Sequence, residues 1–206
     1  MRKIMIALIV CMRSFTFFIP ESHAFVGQAL KISTKTAIKL AQLGKTKGSK
    51  YVGEELMKLA EKVPAAQRLR FIEHSYAEIL VRQGRLTAAQ ADDIVRNLSG
   101  TPGFRSALSK MSGISDAKAS GHGFEVLTAN ALKKSGYDIV AIGQRFDDGI
   151  KNAMTDIDLI AKKGRTTYIF ELKNYRPQSI DHNALINFRG DMQSLNAYAR
   201  QNSNVR

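Results

Sequence analysis

The sequence is short of cysteine, of acidic side chains and of long apolar runs. Its one cysteine is Cys11. One cysteine excludes a disulfide framework and a cysteine-ligated zinc site, and its loss with a cleaved leader would exclude a thiol nucleophile. Lys and Arg number 31 against 18 Asp and Glu, which leaves a net charge of +13 on 206 residues. Such a surplus favours a polyanionic partner, either nucleic acid or an acidic membrane surface. The apolar run from Ile4 to Met12 is too short to span a bilayer comfortably. No repeat of fixed period is visible, which argues against a solenoid.

What is present begins with a leader-like start. Arg2 and Lys3 precede the apolar run, and Ser22-His23-Ala24 has the small-x-small pattern of a cleavage site. Residues 1–24 are therefore expected to be a signal peptide, with Phe25 the first mature residue and no stable membrane span after cleavage. Arg13 interrupts the apolar stretch, and Val10 before Cys11 fits a lipoprotein site poorly. The expected localisation is exported, periplasmic or secreted.

Residues 25–119 read as a basic helical region. Residues 25–118 hold 16 Lys/Arg and 8 Asp/Glu, so most of the surplus lies here. Apolar periodicity predicts a first helix between Gln28 and Leu43, closed by Gly44, and a solvated basic loop at 44–50. That loop has the look of a phosphate loop, but the Gly-x4-Gly-Lys-Ser/Thr spacing is missing and no strand precedes it. Further helices are expected over Gly53 to Val63, Ala65 to Arg82, and from Thr87 to Leu98, where Thr87 and Gln90 form a capping box. Residues 104–119 are weakly patterned, and a linker is expected there.

At Gly121 the pattern changes. A helix is expected from Gly121 to Lys134, a strand from Tyr137 to Ile142, and a polar loop through Asp147-Asp148-Gly149. A hairpin follows, with a turn at Lys162-Lys163-Gly164-Arg165 where glycine supplies a positive φ. Asp156 and Asp158 share one face of its first strand. Glu171 and Lys173 share one face of its second, because strand side chains alternate. Charge at the end of an apolar hairpin is costly without a partner, and a divalent metal held by the carboxylates would remove that cost. A last helix is expected from Asn183 to Arg200.

The ordered set of Gly123-Phe124-Glu125, then Asp156-Ile157-Asp158-Leu159-Ile160-Ala161, then Phe170-Glu171-Leu172-Lys173 resembles the PD-(D/E)xK nuclease superfamily, the restriction-endonuclease-like fold. The resemblance covers roughly residues 120–200. It implies an α/β (α+β) chain: a helical region, then an αβββα core over 120–206. The family usually adds another strand after the last helix, and Gln201 to Arg206 are too few and too polar to supply it. By the same resemblance the catalytic residues are Glu125, Asp158, Glu171 and Lys173. Asp158 and Glu171 would be the central ligands of Mg2+ or Mn2+. Glu125 would reach the metal directly or through water, and Lys173 would orient or deprotonate the attacking water and stabilise negative charge. Asp156 is the reserve ligand. A lysine near a metal in a cleft is expected to have a lowered pKa.

His122 and Gln193 are weaker candidates, and Asn174, Tyr175 and Arg176 are candidate contacts for a phosphate backbone. The implied activity is metal-dependent endonuclease cleavage of DNA or RNA, fitting a secreted toxin or effector with a neutralising immunity protein. The alternatives are an inactive nucleic-acid-binding protein and an envelope interaction module.

Overall fold

A computed structural model describes residues 4–10, 31–146, 155–173 and 182–201. In chain order these form β1 (Ile4–Val10), α1 (Thr34–Lys47), α2 (Ser49–Ala60), a single 3-10 turn (Ala65–Gln67), α3 (Arg68–Arg82), α4 (Ala88–Leu98), α5 (Phe104–Met111) and α6 (Asp116–Lys134). Then come β2 (Asp138–Phe146), β3 (Thr155–Lys163), β4 (Thr166–Lys173) and α7 (His182–Gln201). The mixed α/β class is as expected: a helical region followed by a sheet with helices. The loop at 147–149 and the leader's cleavage site lie outside the described residues.

The helices begin and end where local chemistry allows. Ser33 caps α1 through Thr36 N at 3.2 Å. Thr87 and Gln90 close the expected capping box on α4, at 3.1 and 2.9 Å. Three expectations are corrected. First, α1 does not stop at Gly44. That glycine is buried in the helix, and a Cβ there would stand 2.4 Å from Ser112 O. Gly44 is therefore present for close packing, and the C-cap is Gly48, at φ 100. Second, residues 44–50 are not a loop, since α1 and α2 meet at Gly48. Third, residues 104–119 are not a linker. Phe104, Ala107, Leu108 and Met111 of α5 are all buried, and α6 starts early, at Asp116, under a Ser115 cap.

The early start of α6 carries it through residues 119 and 120, where a domain boundary was expected. The core does not break there either. One hydrophobic cluster joins Leu56, Ile79, Leu98 and Phe104 to Val126, Ile142, Leu159 and Phe170. Asn97 donates to Asn130 at 2.8 Å, Lys134 pairs with Asp93 at 2.7 Å, and Ile142 N donates to Pro102 O at 3.0 Å. At Gly103, φ is +83, and a Cβ would fall 1.7 Å from Ile142 O, so only glycine lets α5 approach β2.

The sheet order is β1-β4-β3-β2. β2, β3 and β4 are antiparallel neighbours, and Lys163 pairs with Thr166, which leaves Gly164-Arg165 as the turn, with Gly164 at φ 57. A fourth strand does exist, but from the other end of the chain: β1 runs parallel to β4, from Ile4 opposite Thr167 to Val10 opposite Lys173. These are the residues read as the apolar part of a leader. On one face of the sheet α6 packs with Leu159 and Phe170. Leu195 of α7 forms a second, smaller cluster with Ile157, Ile160 and Ile169.

Candidate nuclease site

β3 and β4 pair from Lys163–Thr166 as far as Leu159–Phe170. The next positions are Asp158 and Glu171, and the ladder stops before them. Two carboxylates set directly opposite each other repel. The side chain of Asp158 takes over the ladder's role: its Oδ2 accepts from Leu172 N at 2.6 Å. Glu171 is buried, and Lys173 Nζ donates to its Oε1. The two acids thus stand side by side where the hairpin opens.

Two helices complete the site. Glu125 of α6 lies within electrostatic reach of both Asp158 and Glu171. His122 Nδ1 is 3.1 Å from each carboxylate oxygen of Glu125, one turn away on the same helix. From α7, Asp191 Oδ2 comes within 2.8 Å of Lys173 Nζ. Sequence analysis offered Gln193 of this helix only as a weaker candidate, and Gln193 is exposed. Asp191 is the residue it missed. Charge two positions away on the same helix was the available signal, and only the helix's rotation against the sheet decides between them.

The charge states follow from burial and neighbours. Burial pushes the Asp158 pKa up to about 7, and the Glu171 and Glu125 charges push the same way against the Leu172 N–H. Burial also raises Glu171, opposed by Lys173 and reinforced by Asp191 and Glu125. For Lys173, burial works against the charge, but hydrogen bonds to Asp191 and Glu171 outweigh it and hold its pKa above the ordinary value. With no cation between the carboxylates, this shift runs opposite to the lowering expected of a lysine beside a metal.

Of the named residues, then, Glu125, Asp158, Glu171 and Lys173 come together, joined by His122 and Asp191. Asp156 does not. It is exposed and pairs with Arg145 of β2 at 3.2 Å. Asn174, Tyr175 and Arg176 lie outside the described residues. Residues 117–201 match a family model described as restriction endonuclease. This segment belongs to the PD-(D/E)xK restriction-endonuclease-like superfamily. No curated protein and no solved structure matches the chain.

The donor set of this restriction-endonuclease-like domain suits a hard cation in one respect. Mg2+ needs only one or two carboxylates, with water and phosphate oxygens for the rest, and Asp158 and Glu171 are two such groups. The contacts above engage one oxygen of each. Among the described residues, no group of three or more His, Cys, Asp or Glu side chains is gathered tightly enough to hold a metal by itself. The fit is therefore to a two-carboxylate site, with Glu125 within electrostatic reach of both acids.

Proposed function

We propose that the chain is a metal-dependent endonuclease that hydrolyses phosphodiester bonds of DNA or RNA. The observation that carries this reading is the meeting of Asp158, Glu171 and Lys173 at the open end of the β3–β4 hairpin of a restriction-endonuclease-like domain. Asp158 and Glu171 would hold Mg2+ or Mn2+, with Glu125 reaching it directly or through water. When bound, the ion supplies Lewis-acid stabilisation of phosphoryl charge and activation of the nucleophile. Lys173 offers a fixed positive charge to the phosphate as negative charge builds on it. The contacts it makes with Asp191 and Glu171 favour an electrostatic and orienting share over that of the base. Asp191 and Glu171 aim it, and His122 holds Glu125 in one orientation.

Its biological setting is read from the leader and the charge. A basic nuclease that sheds residues 1–24 would be exported and could serve as a secreted toxin or effector, with an immunity protein as its neutralising partner. The second reading is a protein that binds nucleic acid without cutting it. It is favoured by the double pairing of Lys173, whose charge is answered by two carboxylates.

The test is incubation of the purified chain with plasmid, single-stranded DNA and total RNA, with Mg2+ or with chelator. Cleavage that needs the ion and falls at least a hundredfold in Lys173→Ala is the expected result. Salt-sensitive binding with no cleavage in any arm would select the second reading.

A further inference from the structure

A cleft of about 680 Å³ opens between the helical region and the first turns of α6. That volume suits a ligand the size of one nucleotide. One wall is a single stripe of α6, with Ser120, Gly123, Phe124 and Leu127 at helical spacing. Lys45 at the end of α1 and Arg85 after α3 bring positive charge to it. Arg85 is fixed in place, donating to Met111 O, to Gly113 O at 2.7 Å and to Asp116 Oδ1 at 2.7 Å, so its charge is partly answered. Lys45 is exposed and has no ion pair among the described residues.

A second observation comes from the buried lining. Gln83 borders the cleft at 8% exposure. Its Nε2 donates to Ala41 O at 3.1 Å and to Ser112 O at 3.2 Å. Its Oε1 is the one buried side-chain polar atom without a partner among the described residues. A buried acceptor left without a donor is costly, and an N–H on an incoming ligand would remove that cost. A half-buried aromatic ring, an orphan acceptor and a free cation are together what an unpaired nucleotide needs: a surface for its base to stack on, a partner for its amino or ring N–H, and a charge for its phosphate.

The cleft is also next to the chemistry. Phe124 lines it, and the following residue, Glu125, faces the carboxylate cluster, so both sit on the same turn of α6. We propose that the cleft is a substrate subsite that takes one unpaired base beside the scissile phosphate, so that the chain acts on single-stranded nucleic acid. This rests on the nuclease reading above. A duplex keeps its bases stacked and paired, and cannot enter without unpairing.

Binding can be read apart from cleavage by working in chelator. Fluorescence anisotropy would compare a labelled single strand of about 12 nucleotides, the same backbone with abasic sites, and the corresponding duplex, each in DNA and RNA form. The intact single strand is expected to bind on the order of tenfold tighter than either other form. Lys45→Glu should remove most of that preference. Lys50→Glu, on an exposed side chain of α2, should weaken all forms alike. Equal binding of intact and abasic strands, equal binding of duplex, or the same pattern in both charge reversals would overturn the subsite. A base preference without cleavage in Mg2+ would keep the subsite and sink the nuclease reading. Cleavage without a base preference would do the reverse.

Discussion

Lys173 is aimed from two sides, by Glu171 on its own strand and by Asp191 on α7. Removing the charge of Asp191 should leave the fold in place and let the ammonium swing. Asp191→Asn is expected to lower kcat on the order of ten- to a hundredfold with little change in KM, because orientation counts most in the transition state. Gln193→Ala should change neither, and a rise in KM alone for Asp191→Asn would make the residue a binding group instead. Asp158 supplies a second test. Its pKa in the fold is about 7 against 3.8 when unperturbed, so between those values the folded chain holds the proton that the unfolded chain has lost. The stability from this group is full below about pH 4 and is lost as pH rises toward 7, at up to about 1.4 kcal/mol per pH unit per proton. Metal-free urea melts from pH 5 to 8 should show this fall, and Mg2+ should restore more stability at the higher pH, since it binds the deprotonated acids. A metal-free stability that rises across this range would refute the sign. The preference for Asp158 over Asp156 came from the resemblance, since in that family the acid followed by an apolar run is normally the ligand, and Asp158 is the one that lies beside Glu171. The state of Lys173 was not legible in the sequence, because its second partner comes from α7.

The hairpin, the capped helix α4 and the last helix could be read from alternation, capping chemistry and apolar spacing, since each signal is local. β1 and α5 could not. α5 is only eight residues long and is set among serines and glycines, so its burial depends on what it meets in space. β1 pairs with a strand near the other end of the chain, and no local signal separates such a strand from the apolar part of a leader. The two uses of Ile4–Val10 exclude each other once cleavage has occurred, and this gives a measurable consequence. β1 covers seven positions of β4, including Glu171 and Lys173. Deleting residues 1–24 should bare that edge of β4. Amide exchange at Thr167 to Lys173 should then quicken, and the exposed strand edge should raise the tendency to associate. Unchanged exchange in β4 would mean that β1 adds nothing to the sheet.

At the scale of the whole molecule, the helical region is the floor on which the nuclease-like part rests. The core runs without a break from α1 and α2 into β3 and β4. Hydrogen bonds cross residues 119 and 120 at Asn97–Asn130 and Pro102–Ile142, and an ion pair crosses at Asp93–Lys134. Basic composition in one half and gathered acids in the other suggested two parts, because composition reports surfaces, whereas cooperativity is decided by what is buried between them. A shared core should unfold as one unit. Hydrogen exchange at rising urea should give one common opening free energy for core amides of α3, such as Ile79 and Leu80, and of β3, such as Leu159 and Ile160. Residues 120–206 expressed alone would leave Val126, Ile142 and Phe170 without the helices that cover them, and should fail to show a cooperative transition. Two separate opening energies in the full chain, together with a sharp transition in the fragment, would show that the helical region is a passenger. The cleft beside α6 would then lose the rigid wall on which its use by a substrate depends.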